Sequence, residues 1–407
     1  MTPRTARGRF TLIVALIGTG HALSHFYLLA LPPLFPLLRE TFDVSYAALG
    51  LLVTLMNVAT GVCQLPSGFL VGRIGPRPVL IAGLAISGAA IGAIGFAPSF
   101  GVIVALVMVA GIGISVFHPA DYSILSASVD DGWHGRAFGL HTFSGNVGFM
   151  LAPGGMLLFA SLWDWRGAMI AAGLLAVLVV GFFSVAGGIL KDPAAHRPAE
   201  TKPGTSGFAP LLNVPVMVLF LFFVTVAMIT AGVQSFSVAA LVTHQDIGLG
   251  AANSVLTAYL VAAAVGVLLG GPLADRTKRH GFTATVALLL SAALFFLIGA
   301  LPLPVLALML GFAAAGLLQG SIRPARDMMV KAVTPDGATG RVFAFVSTGL
   351  NVGAAITPVV FGYLIDIGRP ELVFALLKGI LILSIATIGV VSHVTRSIAA
   401  AARSFSR

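Results

Sequence analysis

Two ionisable residues, His118 and Asp121, stand three apart in "SVFHPADYS" (residues 115–123), directly after the uncharged run "FGVIVALVMVAGIG". An ionisable side chain at the centre of a bilayer costs about 2.5–3.5 kcal/mol even on insertion scales, so such residues mark function by default. A spacing of three places both on one helix face. Histidine ordinarily titrates near about pH 6.5, and an aspartate near a cation can exchange a proton after modest perturbation. His21 and His25, four apart, and His141 extend this chemistry. Sliding the sequence by 205 residues lays Arg323 and Arg326 on His118 and Asp121, with Asp327 and Lys331 just beyond. Arginine stays charged and can grip a carboxylate or phosphonate with two hydrogen bonds.

These residues define two expected groups. Arg323, Arg326, His118, Asn146 and Asn351 are expected to bind substrate, and His21, His25, His118, Asp121, His141 and Asp327 to carry protons. Other uses of the same residues stay open. His118 could cap carbonyls freed around Pro119, His21 and His25 could join helices by hydrogen bonds, and Asp121 with Arg326 could be a purely structural ion pair. Pro119 and Pro324 each remove a backbone hydrogen bond, so both are expected to kink or open their helices.

The elements that must position these residues follow from composition. Hydrophobic residues make up 58% of the 407 and charged residues 9%, and the mean hydropathy is +1.02. A chain with so little charge can be solvated over most of its surface only by lipid, which makes it a polytopic, all-α membrane protein. Apolar stretches long enough to span fall at roughly 10–38, 45–71, 78–97, 100–128, 137–160, 166–188, 213–243, 250–273, 281–301, 303–330, 340–365 and 371–394. Twelve spans leave both ends on one side. The N-terminus, the even-numbered loops and the C-terminal tail hold seventeen Lys and Arg, against three in the odd-numbered loops. That asymmetry predicts cytoplasmic termini in an inner (cytoplasmic) membrane. The net charge of +9 is therefore a topology signal; its placement in short loops points away from nucleic acid.

"KDPAAHRPAETKPGTSGFAP" divides the spans into two sets of six. The expected organisation is a six-helix bundle at 1–188, a cytoplasmic linker at 189–212, and a second bundle at 213–407 with a short basic tail. The same 205-residue shift also lays Asp131-Gly132 on Asp336-Gly337, Gly135-Arg136 on Gly340-Arg341, and Asn146-Val147-Gly148 on Asn351-Val352-Gly353. Polar and turn residues in register indicate a parallel repeat about an axis normal to the membrane.

"GFLVGRIGPRPV" and "GPLADRTKRHGF" resemble the loop joining helices two and three, and eight and nine, in the major facilitator superfamily. The resemblance implies two six-helix bundles and assigns Gly68, Arg73, Gly271, Asp275 and Arg276 to a cytoplasmic gate. Arg136 and Arg341 begin their spans at the same surface and are expected to act there. The first copy carries Gly72 where the family has its aspartate, and span four carries Val107 where drug-proton antiporters often have arginine. "GNVGFMLAPGG" resembles the family's antiporter motif, yet "LNVGAAITPVV" in span eleven has a similar pattern, as a packing element shared by both halves would. "SVFHPADYS" with "GWHGRAFGLHTFSGNVGFMLAP" and "GTGHALSHFY" resembles fosmidomycin-resistance efflux proteins, matching at His25, His118, Pro119, His134 and Asn146. That resemblance implies a small anion, phosphonate or carboxylate, as substrate.

The expected function is proton-coupled secondary transport of a small organic anion by alternating access, with export favoured over proton-coupled uptake of a carboxylate. A transporter-like sensor that moves nothing is the remote alternative. The expected partners are the anion, the proton and the lipid bilayer, with the protein a monomer. No H-E-x-x-H, G-x-S-x-G or ATP-binding loop occurs, so neither an enzyme nor a cofactor is expected. Cys63 is the one cysteine, and His21 with His25 alone is an incomplete metal site, so no metal is expected.

Overall fold

The computed structural model describes residues 3–190, 213–277, 279–334 and 339–405. The expected linker lies, apart from residues 189 and 190, outside the described residues. Helices α1 (Pro3–Leu28), α2 (Phe35–Phe42), α3 (Tyr46–Ile74), α4 (Pro76–Ile94), α5 (Phe100–Ile114), α6 (Phe117–Ser128), α7 (His134–Leu162) and α8 (Trp165–Ala186) fall in one compact unit, Met1–Ala199. Helices α9 (Val214–His244), α10 (Leu249–Arg276), α11 (His280–Ala300), α12 (Val305–Val333), α13 (Thr339–Asp366) and α14 (Glu371–Phe405) fall in the other, Glu200–Arg407. Among the described residues, twelve helical segments are long and apolar enough to cross a membrane.

Local chemistry sets the helix ends. Ser45 accepts a hydrogen bond from the Ala48 amide, Asp164 from Gly167 and Asn213 from Val216, each capping the helix that follows. Gly75 turns the chain between α3 and α4 at φ 93°, a region open to glycine, and Pro76 then starts α4.

The repeat reappears as packing. In the first unit α1 packs on α7, α3 on α5 and α4 on α8; in the second α9 packs on α13, α10 on α12 and α11 on α14. Matching glycines set two of these contacts. A side chain at Gly148 would overlap the Ala22 carbonyl, and one at Gly353, its counterpart, the Val224 carbonyl. Small residues let membrane helices approach to backbone contact, so the "NVG" pattern shared by spans five and eleven is a packing element.

The two prolines differ: only one of them accompanies an interruption of its helix. The span with Pro119 is interrupted at Ser115 and Val116, between α5 and α6. Ser115 is the residue whose carbonyl a proline at 119 displaces, and its hydroxyl bonds the Ile112 carbonyl and meets Ser67 Oγ at 2.7 Å. In contrast α12 continues through Pro324 without a break. The residue four before it is Gly320, where any side chain would overlap the Ala263 carbonyl of α10. Backbone contact along Gly316 and Gly320 packs α12 on α10 through the turn that precedes its proline.

Candidate functional site

In the first unit the interruption brings α6 against α1 and α7 and assembles a group of rings around one carboxylate. Asp121 Oδ2 accepts a hydrogen bond from His141 Nε2 at 2.9 Å and lies 3.4 Å from His21 Nδ1. All three side chains are buried: Asp121 is 0% exposed, His141 2% and His21 3%. Ring centroids of His21 and His141 lie 3.8 Å apart, those of His21 and His25 4.5 Å, and those of His21 and His118 5.3 Å. Gly145 makes this approach possible, since a side chain there would come within 2.9 Å of His25 and 3.0 Å of His21. His141 lies one turn before Gly145 and therefore faces α1.

The group has a closed floor and an open mouth. His118 is exposed, as is Tyr122, whose ring lies 6.1 Å from that of His118 and 5.3 Å from that of His141. His118 and Asp121 share a helix side as their spacing implies, but only the histidine reaches the surface. One ligand-type atom each from His21, Asp121 and His141 lies within 4.8 Å of the others, a set able to hold a metal ion. Sequence spacing pointed only to His21 and His25, because the completing pair comes from two other helices.

The second unit presents a different arrangement on α12. Arg326 Nε donates to Asp327 Oδ1 at 3.0 Å, and its guanidinium carbon stands 4.3 Å above the Phe223 ring of α9, a cation–π geometry. Arg323, one turn earlier, interacts electrostatically with Arg326, Asp327 and Tyr259. Tyr259, buried on α10, donates a hydrogen bond to Gln319 Oε1 at 3.1 Å. Asp121 and Arg326, corresponding residues of the repeat, thus each hold partners within their own unit. Phe223 and Tyr259 join these sites with no signal in their local sequence, and only the fold brings them in, whereas Tyr122 stands next to Asp121 in "SVFHPADYS".

The sequence pattern of the Major Facilitator Superfamily matches residues 14–251 and again 225–404, together most of the chain. The chain belongs to the Major Facilitator Superfamily. It is 26% identical over 367 residues to an uncharacterised MFS-type transporter of Bacillus subtilis, YfnC, covering 87% of this chain and 86% of that one. It is also 26% identical over 277 residues to the fosmidomycin resistance protein of Escherichia coli, covering 66% of each. Among solved structures, a bacterial homologue of the human lysosomal transporter Spinster, inward-facing and occupied, aligns with TM-score 0.79 at 14% identity, covering 94% of this chain and 97% of that one. The fold is therefore that of the superfamily, and the chain is a multi-pass membrane transporter and not an enzyme.

The superfamily's loop residues sit at helix ends. Gly68 and Arg73 lie in the last turns of α3, with Arg73 exposed, and Gly271, Asp275 and Arg276 close α10. A basic residue at a helix C-terminus complements the helix dipole. Arg136 opens α7 with its guanidinium 4.8 Å from the Trp133 ring, and Arg341 opens α13. The side chains of Asp275 and Arg341, and Lys278 altogether, lie outside the described residues. Asn146 donates to the Thr142 carbonyl of its own helix at 3.0 Å, and Asn351 is exposed on α13. Lys378 lies 4.7 Å from the Phe296 ring.

Proposed function

We propose that this superfamily member is a proton-coupled secondary transporter of a small organic anion, with Arg323 and Arg326 holding the anionic group. The observation that carries the reading is the pair of arginines one turn apart inside a span, with Arg326 oriented by Phe223 and tied to Asp327. A cation in a membrane span needs a counter-charge; in the empty site Asp327 supplies it, and a substrate carboxylate or phosphonate takes its place.

That exchange links the anion to a proton. Asp327 is accessible, with its side chain 51% exposed, whereas Asp121 is sealed. Protonation of Asp327 releases Arg326 to the substrate, so proton and anion load together while Arg323 and Tyr259 face the same group. His21, His25, His118, Asp121 and His141, the other expected proton carriers, stand apart from this exchange except where His118 opens to the surface. Rocking of the two bundles then moves the loaded site from one side of an inner membrane to the other, in a monomer with cytoplasmic termini. Similarity to the fosmidomycin resistance protein favours a second reading, export by exchange against protons.

Reconstituted protein in vesicles with an imposed pH gradient distinguishes them. Accumulation of a labelled small carboxylate on the side towards which protons flow supports joint movement. Accumulation on the opposite side supports exchange, and transport indifferent to the gradient overturns proton coupling altogether. The Asp327→Asn variant is expected to transport without sensitivity to the gradient.

A further inference from the structure

We infer that His21, Asp121 and His141 form a binding site for one divalent transition-metal ion of the zinc class. This goes beyond the transport reading and does not depend on it, because the ligands belong to the first unit and the proposed anion site to the second.

The argument starts from spacing. Zinc bonds to imidazole nitrogen and carboxylate oxygen are about 2.0–2.2 Å, so neighbouring ligand atoms of a tetrahedral site stand about 3.3 Å apart. Asp121 Oδ2 is 2.9 Å from His141 Nε2 and 3.4 Å from His21 Nδ1, on either side of that value. All three donors lie within 4.8 Å of one another, so one ion can reach each of them once the stacked His21 and His141 rings, now 24° from parallel, turn to point at it.

The polar groups are also left incompletely used. His21 Nδ1 and Asp121 Oδ1 are buried and make no hydrogen bond. A buried polar atom without a partner costs about 1–3 kcal/mol, and such atoms in a folded protein call for an explanation. A metal ion supplies a partner to the nitrogen directly and neutralises the carboxylate that carries the oxygen.

Donor chemistry narrows the ion. Two imidazoles and one carboxylate suit zinc, cobalt or ferrous iron, whereas magnesium and calcium prefer oxygen ligands throughout. Three protein ligands leave one position of a tetrahedron open. His118, exposed and with its ring 5.3 Å from that of His21, lies beside the group and gives the ion a route inward, and water or a small anion fills the open position. Bound there, the ion ties α1, α6 and α7 together.

The test uses purified full-length protein without a polyhistidine tag, titrated with cobalt(II) chloride. One equivalent is expected to produce the intense visible absorption of four-coordinate cobalt, and zinc chloride is expected to abolish it. Asp121→Asn and His141→Gln should each weaken cobalt binding more than tenfold, while His393→Ala, altering an exposed histidine on α14, should leave it unchanged. Weak six-coordinate absorption with the wild type, or equal binding by the wild type and both ligand variants, overturns the proposal. So does a loss in His393→Ala matching that in the ligand variants. Size-exclusion elution and unfolding temperature keep the comparison to folded protein, and His21→Gln replaces either ligand variant that fails this check.

Discussion

Residues 115–123 and 320–328 occupy the same place in two repeats of one fold, yet they differ in backbone and charge. The first is an interrupted helix with a sealed carboxylate held by histidines from two other helices. The second is a continuous helix whose arginines are partly accessible, one of them stacked on an aromatic ring. One pair of residues accounts for much of the backbone difference: Ser115, whose side chain bonds elsewhere, against Gly320, which packs onto the neighbouring backbone. A duplicated scaffold can thus keep its packing while its two halves take on separate chemistry.

Removing the hub of the first region is expected to have the largest effect. Asp121→Ala leaves His141 buried without its acceptor, a loss of about 1–3 kcal/mol, and removes the charge 3.4 Å from His21, seen as a lowered unfolding temperature in detergent. Asp327→Ala, at a half-exposed carboxylate, should change stability far less, and equal losses at both positions would erase the contrast.

The shared packing is tested next. Gly148→Leu and Gly353→Leu should each destabilise by about 1–3 kcal/mol through overpacking, and by similar amounts, since both glycines meet a carbonyl of the partner helix. A large effect in one half alone would show that the repeat is not equivalent in energy.

A smaller effect is expected from Phe223→Leu. Loss of the ring beneath Arg326 removes an interaction of about 0.5–2 kcal/mol, so KM for the anion should rise several-fold with folding intact. An unchanged KM would place the anion away from Arg326.

Much of the fold was legible in the sequence because each cue was local and repeated. Span length follows from bilayer thickness, and the register of Asn146-Val147-Gly148 with Asn351-Val352-Gly353 exposes the duplication directly. The continuity of α12 was not legible, because Pro324 alone signals a break, while the contact of Gly316 and Gly320 with α10 comes only from the fold. The candidate sites were legible as residue types but not as groups. His118 and Asp121 look equivalent at three-residue spacing, yet burial separates them; His141 meets Asp121 of the preceding helix and His21 of α1, and Phe223 meets Arg326 of α12, pairings that only the fold makes.

The division of labour between the two regions is tested most directly by anion-induced thermal stabilisation. A panel of small carboxylates and phosphonates is applied to wild type, Arg326→Ala and Asp121→Asn. The account predicts that at least one anion raises the unfolding temperature of the wild type and of Asp121→Asn, and that Arg326→Ala does not respond. Retention of the response in Arg326→Ala together with its loss in Asp121→Asn would contradict it.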